Sequence, residues 1–153
     1  MDIGKNRKSA RRLSIQNYCI TSRKNYFFKI KKMEILSKIL IGIVAVEHLY
    51  ILYMEMFAWE TLGKKTFRGA LKDELFTPTK KLAANQGLYN GFLSAGLIWS
   101  LMISDEMWSN YVAIFFLGCV IVAGIYGAFT ATKKIFFVQA MPAILALIFV
   151  LAK

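Results

Sequence analysis

Four stretches of this sequence, roughly 35–59, 82–103, 111–132 and 135–152, approach or exceed the run of about 18 apolar residues that a helix needs to cross hydrocarbon. A soluble chain of this length would break such runs with charge, and soluble domains are typically about 25% charged. Here 57% of the residues are hydrophobic and 19% are charged. Only Pro78 and Pro142 occur, and no two-residue alternation argues for strands. The chain is therefore predicted to be all-α: an integral membrane four-helix bundle of up-down topology. Residues 33–153 form one domain behind a basic leader, residues 1–32. The bilayer is its first partner.

The net charge of +11 is unevenly spread. Residues 1–32 hold ten Lys/Arg against the single acid Asp2, and residues 33–153 hold ten against eight. Nothing interleaves aromatics with basic residues on a folded surface, so no nucleic-acid partner is expected. The leader lacks the continuous apolar core of a secretory signal. Three readings of it stand: a disordered tail on anionic lipid, an organelle-targeting presequence, or a segment that is not translated, with synthesis starting at Met33. Topology favours the third. From Met33 onward, one side of a four-span protein carries Lys38 and Lys153. The other carries Lys64, Lys65, Arg68, Lys72, Lys80, Lys81, Lys133 and Lys134. Such an excess marks the cytoplasmic side, so the 60–81 loop is expected inside and both termini outside, in the plasma (inner) membrane. Counting the leader would remove the signal.

Along the body, Trp59 is placed to anchor the first span at an interface. Phe67, Leu71 and Leu75 repeat every fourth residue, as in a short amphipathic helix lying on the membrane surface. Thr77–Pro78 reads as an N-cap followed by a first helical residue. In the second span Ala83, Gly87, Gly91 and Ala95 form a seam of small residues. Ala123/Gly127 and Gly124/Ala128 do the same in the third. These seams suit an intramolecular bundle and a homodimer equally well. Trp99, Trp108 and Tyr111 make an outer aromatic belt. Pro142 removes a backbone donor and frees the carbonyl of Val138. Cys19 and Cys119 have no metal-ligand spacing and are not expected to pair; Cys119 reads as a small packing residue.

Chemistry is concentrated in EHLYILYMEMF, residues 47–57, where Glu47, His48 and Glu55 fall inside an apolar run. Ionisable groups at bilayer depth are costly and face a protein interior or a wet cavity. His48 and Glu55, seven residues apart, share nearly one helix face. Asn85, Gln86, Tyr89 and Asn90 in the second span, Tyr126 and Thr130 in the third, and Gln139 in the fourth lie in the same half of the bilayer. At about 1.5 Å per residue, Glu55 is ~5 Å from the cytoplasmic end, Asn85, Gln86 and Gln139 ~5–7 Å, Asn90 ~12 Å, and Glu47 and His48 ~15–17 Å. The expectation is a polar pocket open to the cytoplasm and floored by Glu47 and His48. Glu47, His48 and Glu55 would be its acid–base groups, able to donate, accept or relay a proton. Asn85, Gln86, Tyr89, Asn90, Tyr126 and Gln139 would line it for a ligand. The plainer alternative is that Asn, Gln and Tyr bond helices together. No cofactor and no metal is expected.

EHLYILYMEMFAW and AANQGLYNGFLSAGLIW resemble a family of small, four-span integral membrane proteins described only as a domain of unknown function. The similarity covers about Met33 to Lys153. It implies the four-helix membrane fold and the importance of Glu47, His48, Glu55, Asn85, Gln86 and Asn90, and it supplies no reaction. In size, and in the buried Glu of its first helix, the chain also resembles the small four-span multidrug exporters. The one-sided polar cluster and the long loop depart from that pattern. Three functions follow: proton-linked binding or transport of a small or lipophilic molecule, an intramembrane acid–base enzyme acting on a lipid or isoprenoid, and a structural or assembly subunit. In the enzyme, Glu47 or Glu55 would be the base, His48 the acid, and Asn90 or Gln86 an orienting donor.

Overall fold

The computed structural model describes residues 3–152, with side chains from residue 21 to 152. Every element in it is helical: α1 (Ile3–Phe57), a π-helical turn (Trp59–Gly63), α2 (Lys64–Thr66), a 3-10 turn (Asp73–Leu75), α3 (Phe76–Met102), α4 (Glu106–Thr130), a second π-turn (Phe136–Ala140) and α5 (Met141–Leu151). Among the described residues, strand pairing is limited to one isolated bridge, Arg68 to Leu71. The all-α expectation holds. Two helices are long and apolar enough to cross a membrane, the Thr21–Phe57 part of α1 and α4, with mean hydropathies of 1.9 and 2.4. Phe136–Leu151 is apolar but shorter. Of the leader, the side chains of residues 1–20 lie outside the described residues, and residues 21–29 are all exposed. Cys19, and any pairing of it, is among the residues left outside; Cys119 is a free thiol.

α1 packs most extensively on α3 and also on α5, and α4 packs on α3 and α5. The shared core is small-chained: Ile41, Val44 and Ala45 of α1 meet Leu97, Ala113, Leu117, Val120, Ala143, Ala146 and Val150. Glycine sets the closest approaches. A Cβ on Gly87 would stand 2.7 Å from Met56 Cγ and 3.1 Å from the Leu52 carbonyl, and one on Gly91 would strike the Leu52 side chain. The small-residue seam of α3 departs from the four-residue reading. Ala83 and Gly87 are buried, but Ala95 is exposed and Ser94 is buried in its place. Each four-residue step turns a helix by about 40°, so Ala95 has drifted about 120° from Ala83, whereas Ser94 returns to within about 20°. Ser94 Oγ uses that position to donate to Ala45 O of α1 at 2.8 Å. In α4, Gly124 and Gly127 abut Ala140 and Ile135, while Ala123 is exposed.

The first loop corrects three further expectations. Residues 67–75 do not form one amphipathic helix, because Gly69 adopts a left-handed φ of 85° and ends the repeat. Phe67 and Leu71 instead fold back onto Trp59, Phe76 and Ala83. Trp59 is buried rather than interfacial. Its ring lies 5.5 Å from Phe67 and 5.1 Å from Phe76, and its Nε1 donates to Thr79 Oγ1 at 3.1 Å. Thr77 does not cap α3, which starts one residue earlier at Phe76; its hydroxyl donates to Glu60 at 2.8 Å. Pro78 is tolerated in this first turn, where backbone donors have no helical partner. Ahead of Pro142, the π-turn shifts the ladder, and the Met141 N–H bonds Phe136 O.

Two outcomes test this packing. Gly124→Ala places a Cβ 2.8 Å from the Ala140 backbone nitrogen, and overpacking of that kind costs about 1–3 kcal/mol. Gly118→Ala meets nothing within 4 Å and gains about 0.5–1 kcal/mol of helix propensity. The thermal midpoints of the purified proteins should move in opposite directions. The second concerns Glu60, which accepts from Lys80 Nζ at 2.8 Å as well as from Thr77. The Lys80 bond first, then the Thr77 bond, holds its carboxyl below the ordinary value of 4.5. The stabilisation is therefore present above pH 4.5 and is lost as pH falls through the lower folded value. Lys80→Met should lower the midpoint at neutral pH, and the difference from wild type should vanish in acid.

Candidate functional site

Val44, His48, Ile51 and Glu55 follow one another at three- and four-residue steps on the inward face of α1. His48 is 1% exposed. Its Nδ1 lies 2.8 Å from Val44 O, and a carbonyl only accepts, so Nδ1 carries the hydrogen. In the neutral ring Nε2 is then the acceptor. Two turns on, Glu55 Oε2 accepts from Asn90 Nδ2 of α3 at 2.9 Å, and the same Nδ2 lies 3.2 Å from Gln86 O. One amide group, with two hydrogens, serves both acceptors. Asn is a short side chain, and it reaches across only because Gly87 and Gly91 let the α3 backbone settle against Leu52 and Met56.

Glu47 differs from both. It is half-buried, and its Oε1 is shut away from solvent with no hydrogen-bond partner. Its direction lies about 80° round α1 from Glu55 and about 100° from His48. Glu47, His48 and Glu55 share a stretch of helix but are not bonded to one another. A buried carboxyl oxygen without a donor is an acceptor that a proton, a water or a donor group on a ligand would complete.

The remaining expected residues spread outward. Asn85, Gln86 and Tyr89 are exposed on α3, and Gln139 is half-buried in the second π-turn. Tyr126 is 70% exposed and ends a shallow apolar groove along the outer face of α4, lined also by Ile114, Phe115, Gly118, Cys119, Val122 and Ala123. The pair actually assembled across helices is Glu55 and Asn90, while His48 is bonded within α1 and Glu47 lies on the same stretch of that helix. Among the described residues no three His, Cys, Asp or Glu side chains come together as a metal site. Sequence reasoning passed over the buried serines. Ser94 ties α3 to α1, and Ser109 Oγ donates to Ser100 O at 2.8 Å, tying α4 to α3. The signal for Ser94 was its place eleven residues after Ala83, three full turns on the same face.

Asn90→Leu leaves Glu55 Oε2 without its donor and should cost about 1–3 kcal/mol. Glu55→Leu in the same chain should restore much of that loss, and a double-mutant cycle on thermal midpoints measures the coupling.

Residues 42–151 match the model of the family described as "Protein of unknown function (DUF1304)". The uncharacterized protein YpaA of Lactococcus lactis subsp. lactis (strain IL1403) is 40% identical over 119 residues, which covers 76% of this chain and 97% of the relative. No solved structure is significantly similar to the chain. The matched region contains all nine expected site residues, from Glu47 to Gln139. The chain belongs to the DUF1304 family of proteins of unknown function.

Proposed function

We propose that the chain is a four-span protein of the plasma (inner) membrane that binds a small or lipophilic molecule at Glu47, beside His48 and Glu55, and moves it in step with a proton. Support for the membrane arrangement comes from how little of the apolar surface is covered. Only 33% of the most apolar window of α1 and 22% of that of α4 are buried, whereas the core helix of a soluble protein is mostly buried. Large apolar side chains such as Ile43, Tyr53, Phe115, Val122 and Phe129 face outward, where hydrocarbon suits them and water does not. In this arrangement α3 and the π-turn with α5 complete the four spans. With synthesis starting at Met33, the Lys/Arg excess of residues 60–81 and 133–134 favours that end in the cytoplasm and both termini outside.

The observation that carries the site is the orphan Oε1 of Glu47. His48 and Glu55 each have a partner within the chain, which favours a second reading in which they only hold helices together. Glu47 separates the two readings, because no bond among the described residues explains its buried Oε1.

The test is infrared difference spectroscopy of the purified protein, with and without a total membrane lipid extract. The functional reading expects a carboxyl band that is absent from Glu47→Gln and shifts when extract is added. A Glu47 band indifferent to the extract would overturn the binding reading. Topology is checked separately with the native cysteines replaced. A cysteine at Thr66 should react with an impermeant thiol reagent only in opened cells, and one at Ser104 in intact cells.

A further inference from the structure

The outward face of α3 makes a demand that lipid does not meet. Asn85 and Gln86 are exposed there, and neither side chain makes a hydrogen bond among the described residues. Asn85, Tyr89, Phe92 and Trp99 follow at steps of four, three and seven, a single seam down the helix. An amide left unpaired against hydrocarbon is expensive, so a protein surface has to cover it. By contrast, the groove on α4 is almost wholly apolar, with Tyr126 at its end, and acyl chains satisfy it.

We propose that this face of α3 is where two copies of the chain associate, side by side about a two-fold axis along the membrane normal, with Asn85 and Gln86 bonded to the carboxamides of the second copy. A carboxamide carries both donors and an acceptor, so a face that presents it satisfies itself on rotation by half a turn. No ionised side chain lies between Leu82 and Met102 to require a partner of opposite charge. At the aqueous end of the seam Lys80 is already neutralised by Glu60 at 2.8 Å, and Lys81 is left where solvent screens it. The small-residue seams are not free for this purpose. Gly87 and Gly91 are filled by Met56 and Leu52, and Gly124 and Gly127 by Ala140 and Ile135. The polar face of α3 is open to a second chain.

The inference rests on the four-span reading, so the test separates the two. In native membranes, the full chain with Cys19 and Cys119 replaced by Ala receives one cysteine, Phe92→Cys on the α3 seam or Phe115→Cys on the outer face of α4. Mild oxidation should convert Phe92→Cys, and not Phe115→Cys, into a product of twice the chain mass. Adding Asn85→Leu and Gln86→Leu should lower that yield by about tenfold. No product from Phe92→Cys, equal products from both positions, a product of another mass, or a yield indifferent to the two leucines would each overturn the pairing. The contrast between the two single-cysteine chains needs no destabilising substitution, so it stands even where the leucine variant accumulates poorly. Release of the protein from the membrane by alkaline carbonate would overturn the spans themselves.

Discussion

The contact on which the rest of the molecule depends is the backbone approach of α3 to α1 at Gly87 and Gly91. On the proposed membrane reading, helix association rests on close packing and a few polar bonds, since hydrocarbon offers little drive for one apolar helix to leave it for another. Here both are concentrated along one line. With no Cβ at Gly87, the Leu52 carbonyl and the Met56 side chain come within touching distance of α3. Asn90 and Ser94 on the same helix then reach Glu55 and Ala45 O. The loop end is fastened by a different device, a ring of Trp59, Phe67 and Phe76 with the Glu60–Lys80 pair outside it. A rigid helix pair with one fastened end is a sound mount for an ionisable group whose own surroundings are left incomplete.

Much of this was legible in the sequence because apolar run length and helix are tightly linked. The expected spans 82–103 and 111–132 correspond to α3 and α4, displaced by up to six residues at their starts. Those errors have causes. Asp105 caps α4 by accepting from the Trp108 N–H at 2.9 Å, which draws residues 106–110, with the polar Glu106, Ser109 and Asn110, into the helix. Phe76 begins α3 because the aromatic cluster holds it. What composition could not carry was phase. A four-residue seam looks continuous on paper, yet it winds round the helix, and so Ala95 was expected inside where Ser94 is found. The helical reading of Phe67, Leu71 and Leu75 failed for a related reason, since one glycine in a left-handed conformation outweighs a weak periodic pattern.

The candidate site divides in the same way. That Glu47, His48 and Glu55 are the exceptional residues follows from the cost of placing charge in an apolar run. That Glu55 pairs with Asn90 is a fact about two helices at once, and a single sequence read helix by helix gives depth without direction. Depth placed Asn85, Gln86 and Tyr126 beside the acids, whereas their directions around the helix are outward. The residues set apart by chemistry were visible, and the partners assigned by geometry were not.

The π-turn of Phe136–Ala140 has a consequence for how lengths in this fold are fixed. Such a turn holds one residue more than the α-helical turn it replaces, and the face of α5 that carries Ala143, Ala146 and Val150 is aimed at the core from beyond it. In a regular helix one extra residue would rotate that whole face by about 100°, exchanging buried alanines for bulky leucines and isoleucines; the wide turn takes that residue up and leaves the face aimed inward. The turn thus acts as the phase-setting spacer of the last helix. Losing the extra residue closes the turn to an ordinary α-helical one with the same face inward, so the length of this segment has a tolerance that its buried Ala140 does not.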